Sequence, residues 1–266
     1  MLALVQQVHQ GHPSFIGFET SALAFWERGY EVSRFSLDDL SSGDLDKYLL
    51  DDPDSTIVRG GVGTVRLALN RAGKKALVLP DLPMEIRSFA RRKVWESTLG
   101  EFRRESTAKE FSPPIHIKPL VDHKLFTGLL VSSFKQLLST AQLDGDVPIL
   151  CQEQVDLRSE WRAYVLRGNI LQVCCYKGDP LLFPDPETQM SGLADFQSQP
   201  IAFSMDWGVT SNGETVLVEV NDGFALGNYG LPGHLYTAMV EARWRQLMEL
   251  PDNLVGESLH PNESLD

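Results

Sequence analysis

Two acidic residues and one amide residue in the last third of the chain are spaced so that they could hold a cation together: Asp206, Glu219 and Asn221. They lie in two strand-like runs, IAFSMDWGV and TVLVEVN, that flank the dipeptide Asn212-Gly213. Asn-Gly is a strong hairpin signal, because both residues tolerate the positive φ that a type I′ turn requires. A two-residue loop at this dipeptide pairs the runs so that Asp206 lies directly opposite Glu219.

The same pairing divides the hairpin into an apolar face and an acidic face. Ser204 then lies opposite Asn221 and shares the face of the two acids. Apolar residues occupy the other face: Phe203, Met205, Trp207, Val218 and Val220. Like charges directly opposite each other are destabilising, so the acidic face predicts a bound cation. Sparse oxygen ligands favour Mg²⁺, which takes one or two carboxylates besides substrate phosphates. The alternative is a solvent-facing strand surface that carries acids by chance.

This arrangement resembles the magnesium site of the ATP-grasp superfamily, in which an Asp on one strand and a Glu-x-Asn on the next bind the metal. The resemblance implies that Asp206, Glu219 and Asn221 are metal ligands, and that ATP and Mg²⁺ are the cofactors. More narrowly, the blocks EWRAYVLRGNI and EVNDGFALGNYGL are similar to those of compact ATP-grasp proteins of bacteria and phages.

The resemblance extends backward through the nucleotide-binding half, in the order that the superfamily has. It implies a phosphate-binding Lys in HIKPL, a phosphate-covering flap at LVDHKLFTG, an adenine-reading linker in ILCQEQVDL and then an acid on the ribose hydroxyls. The implied nucleotide-binding residues are Lys118, Lys124, Glu153, Gln154, Val155 and Glu160.

Two basic residues of the preceding hairpin are candidates for contacting the reacting phosphate or acyl phosphate. A turn at Gly168-Asn169 places Glu160 opposite Lys177, with Arg162 on the same face. Arg162 suits bidentate phosphate contact. For Lys177, a surface ion pair of little energetic consequence is an equal alternative.

Arg59 is a third catalytic candidate, on the substrate side, because it stands beside the glycine-rich stretch VRGGVGTVR. A strand-to-helix turn needs glycine in any case, which is the alternative explanation of that stretch. The chain also departs from the superfamily at Ser204, where many ATP-grasp ligases have a basic residue. This departure implies that Arg162 supplies the missing positive charge.

The order of the predicted elements indicates an α/β (α+β) fold in two parts. Strands LALVQQV, EVSRFSL, STIVRG and KALVLP alternate with helical patterns, which predicts a small Rossmann-like layer. With the predicted connecting helix MEIRSFARRKVWESTLGEFRRE, this pre-ATP-grasp domain spans residues 1–110. Residues 111–250 match an ATP-grasp core of antiparallel sheets and helices, and residues 251–266 form a polar tail.

Composition argues against several classes of partner. The 24 basic and 36 acidic residues give a net charge of −12, which disfavours nucleic acids and anionic membranes. No run approaches the roughly 20 apolar residues that cross a bilayer, and no basic leader precedes the first strand. The three cysteines lack Cys-x-x-Cys spacing. We therefore expect a cytoplasmic protein with reduced thiols.

The resemblance implies an ADP-forming ligase that joins a carboxylate to an amine, or to a thiol, through an acyl phosphate. Its expected partners are a small-molecule or peptide carboxylate and an amine-type nucleophile, and a homodimer is a common state of compact enzymes. Two alternatives stay open: a nucleotide-binding regulatory module without turnover, and a kinase that transfers phosphate without ligation.

Overall fold

The structure is a computed structural model that describes residues 1–75, 79–120 and 125–252. Within these ranges the strands form one three-stranded sheet and two four-stranded sheets. The strands are β1 (Leu2–Gln6), β2 (Glu31–Phe35), β3 (Thr56–Arg59), β4 (Val94–Thr98), β5 (Ile115–Pro119), β6 (Leu129–Val131), β7 (Pro148–Glu153), β8 (Leu157–Leu166), β9 (Asn169–Gly178), β10 (Ala202–Thr210) and β11 (Thr215–Asp222). The α-helices are α1 (Phe15–Glu27), α2 (Leu37–Ser42), α3 (Val62–Arg71), α4 (Leu99–Ala108), α5 (Pro186–Asp195) and α6 (Gly233–Leu247).

The N-terminal layer is a parallel sheet of order β2-β1-β3, which confirms the predicted α/β layer. The central residues of β1 are fully buried, as is typical of a parallel strand that is covered on both faces. Helix α6 from the end of the chain packs on α1 and β3, and Trp244 Nε1 donates to the Thr56 carbonyl (2.9 Å). Residues 76–78 of the predicted strand KALVLP lie outside the described residues.

The second sheet is antiparallel, in the order β4-β7-β5-β6, and it corrects the predicted connecting helix. Within that segment a 3₁₀ helix (Met84–Ala90) comes first, β4 follows and pairs with β7, and only α4 is α-helical. Thr98 begins α4 with a capping box to Glu101, which fixes the point where strand gives way to helix. Strand β4 therefore belongs to the same sheet as the predicted phosphate-binding Lys.

The third sheet is also antiparallel, in the order β11-β10-β8-β9. Its apolar face packs against the 3₁₀ helix and α5 around three fully buried side chains, Phe203, Met205 and Trp207. This core turns the opposite face of β10 and β11 toward the second sheet. Among the described helices, none combines the length and apolar character that a bilayer crossing requires.

Candidate active site

The β10–β11 hairpin has the predicted pairing at the acidic residues, although its turn is different. Asp206 pairs with Glu219 and Ser204 with Asn221. The loop has three residues, since Thr210 N donates to the Glu214 carbonyl, and its last residue Gly213 has φ of 81°. This loop alone would shift the register by one residue. A β-bulge between Asp206 and Trp207 restores the pairing.

The β8–β9 hairpin shows the same compensation. Its turn residues are Arg167 and Gly168, with φ of 51° and 73°, so the turn predicted at Gly168-Asn169 is displaced by one position. Two register shifts along the hairpin offset this displacement. Glu160 therefore pairs with Lys177, as the sequence predicts.

The three predicted metal ligands lie on one side of the sheet, with Asn221 between the two acids. Asn221 Nδ2 is 3.3 Å from Asp206 Oδ2 and 3.2 Å from Glu219 Oε1. Both carboxylates thus converge on one side-chain amide. The Ser204 hydroxyl, on the same face, is buried and has no hydrogen-bond partner within the described part of the chain.

Asp206 is held from behind by Arg162 of the neighbouring strand β8. The guanidinium donates from Nε to Oδ1 (2.8 Å) and from Nη2 to Oδ2 (2.7 Å), and both side chains are buried. Burial raises the pKa of Asp206 to about 6 against the opposing effect of Arg162, so the carboxylate is still ionised at pH 7. Arg162 therefore supplies a positive charge on the face where Ser204 replaces a basic residue.

Glu219 is held from the opposite sheet by Lys118. Lys118 Nζ lies 3.2 Å from Glu219 Oε2 and also forms an ion pair with Asp81. Burial opposes the ionisation of Glu219, but Lys118 and Asn221 outweigh it, and the pKa of the carboxylate lies below its usual value. Lys118 thus links β5 to β11 across the space between the two sheets.

That space is a cleft of about 710 Å³, within the range of small-molecule sites. The second sheet forms one wall, the third sheet forms another, and α3 of the N-terminal layer closes a third side. Four of the predicted site residues line the cleft together: Lys118, Glu160, Glu219 and Asn221. The Glu160 carboxylate accepts a hydrogen bond from Tyr176 (3.0 Å), whose pKa burial raises.

Other predicted site residues lie away from the cleft lining. Arg59 is buried in the N-terminal layer, where it donates to the Gly60 carbonyl (2.7 Å). Lys177 forms its ion pair with Glu160 but is 72% exposed. Residues 153–155, at the end of β7, do not reach the lining, and Lys124 lies outside the described residues.

The loop after β11 is fastened to the site by polar groups of β8. Arg162 Nη1 (3.2 Å) and Tyr164 Oη (3.0 Å) both donate to the Gly227 carbonyl, and Tyr164 Oη accepts from Tyr229 N (2.7 Å). The Tyr229 ring stacks on Tyr176, with centroids 5.0 Å apart. One side chain, Arg162, thus orders both the acid and the loop.

Sequence reasoning missed several polar residues that line the cleft: Arg66, Asp81, His116, Gln152 and Tyr176. His116 and Gln152 stand two and one residues from predicted site residues, so the alternation of strand faces could have found His116 beside Lys118. Burial and the nearby charges of Lys118 and Arg92 lower the pKa of His116. Arg66 comes from α3, and no sequence pattern connects that helix with the hairpins.

The donor set fits a magnesium ion that is shared with a bound phosphate chain. Asp206 and Glu219 bring oxygen ligands to one place, and the Asn221 amide and the unsatisfied Ser204 hydroxyl add further oxygens. Within the described residues, no group of three or more His, Cys, Asp or Glu could hold a metal by itself. Such a sparse set suits Mg²⁺, which keeps waters and phosphate oxygens among its ligands.

Comparison with protein families adds a decisive observation. The model of an ATP-grasp domain, the second family of its clade, matches residues 89–239, which is more than half of the chain. The chain belongs to this ATP-grasp family. The match begins just before β4 and ends within α6, so it includes both walls of the cleft that the antiparallel sheets form.

Solved structures show the same fold at low sequence identity. D-alanine–D-alanine ligase from Bacillus anthracis, solved with ATP, is 14% identical with a TM-score of 0.56, covering 93% of this chain and 98% of that one. An ADP complex of N5-carboxyaminoimidazole ribonucleotide synthetase is 13% identical with a TM-score of 0.56, covering 94% and 77%. The macrocyclase MdnC from Microcystis aeruginosa, bound to precursor peptide MdnA, is 14% identical with a TM-score of 0.51, covering 92% and 100%.

These likenesses show that this ATP-grasp protein shares the overall fold of those enzymes. A comparison with curated proteins finds no match to the chain.

Proposed function

We propose that this ATP-grasp protein is an ADP-forming ligase that phosphorylates a substrate carboxylate and joins the resulting acyl group to an amine. One observation carries the proposal: Asp206 and Glu219 meet at Asn221 in the wall of a cleft whose opposite wall carries Lys118. The family match and the fold shared with ligases that were solved with ATP or ADP support it.

The charged residues of the cleft have separable tasks in this reaction. Mg²⁺, held by Asp206, Glu219 and Asn221, would neutralise charge on the β- and γ-phosphates of ATP. Lys118 would exchange its carboxylate partners for a phosphate oxygen. Arg162 keeps Asp206 in place through two hydrogen bonds and brings positive charge close to the site of transfer.

The nucleotide would lie between the two antiparallel sheets. Glu160 is positioned for the ribose, since its carboxylate lines the cleft and Tyr176 orients it. The backbone at the end of β7, at Glu153, Gln154 and Val155, remains the proposed adenine contact. Lys177 and Arg59 stay candidates of lower weight, because neither lines the cleft.

The third wall would bind the carboxylate substrate, and Arg66 is the residue that we assign to it. Arg66 lines the cleft from α3, and its side chain has no hydrogen bond or ion pair within the described part of the chain. Lys118 and Arg162, in contrast, are already paired with acids. A guanidinium with free donors in a cleft is a ready partner for a substrate carboxylate.

The substrate can be a small molecule or a peptide end. The structures of similar fold include D-alanine–D-alanine ligase and a macrocyclase bound to a precursor peptide, so the fold accommodates both kinds. The formal charge of −12 favours substrates that are not polyanionic.

Product analysis tests the proposal. The protein is incubated with Mg-ATP, mixed carboxylates and hydroxylamine, which converts an acyl phosphate to a hydroxamate. A ligase releases ADP and phosphate together with hydroxamate, and does so only when a carboxylate is present. A stable phosphorylated product would instead identify a kinase, and Mg-ATP binding without ADP release under any substrate mixture would identify a binding module.

A further inference from the structure

Arg92 connects the two sheets that form the cleft, although it lies outside every motif considered above. It follows the 3₁₀ helix Met84–Ala90 and precedes β4, and its side chain is partly buried. Burial lowers the pKa of Arg92 to about 10, with the nearby charge of Glu219 opposing this effect, so the guanidinium is charged at pH 7. Its donors are directed to both walls of the cleft.

On one side, Arg92 holds the backbone of β11 at the β-bulge. Nη1 donates to the Leu217 carbonyl (2.7 Å), and Nη2 donates to the Val218 carbonyl (2.9 Å). The register changes between the pairs Asp206–Glu219 and Trp207–Leu217, so Val218 is the extra residue of the bulge. A bulge leaves backbone groups outside the ladder, and the guanidinium satisfies two successive carbonyls there.

On the other side, Arg92 holds Gln152 of β7. Nε (3.0 Å) and Nη2 (2.7 Å) both donate to Gln152 Oε1, which leaves the Gln152 amide nitrogen to meet His116 Nδ1 at 2.9 Å. Gln152 and His116 both line the cleft. One guanidinium therefore orients residues on both walls.

We propose that Arg92 is a positioning residue for magnesium binding: it fixes the bulge in β11 that aims the Glu219 carboxylate into the cleft. Without the bulge, the three-residue turn would leave Glu219 out of register with Asp206. The two carbonyls that Arg92 holds belong to the residues immediately before Glu219. This inference rests on the proposed function, because it assigns Arg92 to the same magnesium site.

The test measures how much Mg²⁺ strengthens nucleotide binding. Calorimetric titration with a non-hydrolysable ATP analogue, with and without Mg²⁺, gives this ratio for the wild type, Arg92→Met and Arg92→Lys. We expect both variants to reduce the ratio at least tenfold, since a lysine cannot hold two carbonyls and Gln152 together. Arg91→Met is the matched control, because Arg91 is an exposed neighbour with one ion pair to Glu214, and it keeps the wild-type ratio.

A second control separates the two arms of Arg92. Gln152→Met removes the link toward His116 while the contacts to β11 remain, so it keeps the magnesium ratio even if nucleotide affinity falls. Hydrogen exchange provides a readout that needs no ligand: amides of residues 217–221 exchange faster in both Arg92 variants. If Arg92→Met does not fold, Arg92→Lys, which keeps the charge, carries the test.

Several results would overturn the inference. An unchanged magnesium ratio in the Arg92 variants would refute it, as would a structure of the wild type with Mg²⁺ and ATP analogue in which Arg92 has left both carbonyls. A wild type whose nucleotide binding ignores Mg²⁺ would refute the proposed function itself. The two failures are distinguishable, because the first concerns only the variants and the second only the native chain.

Discussion

The two hairpins of the third sheet each place an acid opposite or beside a cation, but they differ in burial. In β8–β9, Glu160 pairs with Lys177, whose side chain is 72% exposed. In β10–β11 and its neighbour β8, Asp206 pairs with Arg162, and the two side chains are 2% and 7% exposed. The residue types are alike, whereas the environments are nearly opposite.

This difference determines what each ion pair contributes. Water screens the exposed pair, which contributes little to stability. The buried pair has lost its hydration, so removing one partner leaves an uncompensated charge in the interior. Sequence alone ranks Arg162 and Lys177 close together, and burial separates them.

Arg162→Met is expected to have the largest effect, because it removes the partner of buried Asp206. We expect the free energy of unfolding to fall by about 3–5 kcal/mol. Denaturant unfolding measures this loss, with Arg34→Met as the matched control. Arg34 forms an exposed pair with Glu19, so its loss should cost less than about 1 kcal/mol. Equal losses in the two variants would contradict the role of burial.

Glu219→Gln tests the acid that faces the cleft rather than the one behind it. We expect ATP turnover to fall by about 10²- to 10³-fold, as when one group that stabilises transition-state charge is lost. Stability should change less than in Arg162→Met, since Glu219 is partly exposed. Steady-state ADP release measures the effect. Glu214→Gln, an exposed acid of the same hairpin, should retain wild-type turnover, and an active Glu219→Gln would remove this residue from the magnesium site.

Arg66→Met extends the comparison to a cation that has no acid partner within the described residues. The proposed contact with substrate is a charged hydrogen bond, so KM for the carboxylate should rise by about 10- to 100-fold. KM for ATP should stay near the wild-type value. Arg66→Lys should fall between the two. A rise confined to the KM for ATP would place Arg66 on the nucleotide instead.

Lys177→Met should have the smallest effect of the four. Because the Lys177 side chain is largely exposed, we expect a loss below about 1 kcal/mol in stability and a change within about threefold in turnover. The same turnover assay measures it. A loss comparable with that of Glu219→Gln would make Lys177 a residue that contacts the reacting groups.

Much of the site was predictable because strand alternation and turn chemistry are local. The pairing of Asp206 with Glu219 and of Glu160 with Lys177 follows from two short turn signals and the pleat. The parallel N-terminal layer also follows from its alternating pattern of apolar runs.

The details that failed depend on contacts between distant parts of the chain. Both turns differ from the predicted ones by one residue, and bulges compensate in both hairpins. In β11 the bulge is held by Arg92, about 125 residues away in sequence, so no local pattern reports it. Arg66 was missed for the same reason, since only the packing of α3 against the other two walls brings it to the cleft.

Strand β11 lies at the edge of its sheet, and the contacts that shape it have a second consequence. Arg92 covers two of its outward carbonyls, and Val220 N donates to the Asp81 carbonyl (2.7 Å). An uncovered edge of this kind would be a template for strands of other molecules. By occupying these groups, the protein protects an apolar hairpin against self-association into extended intermolecular sheets.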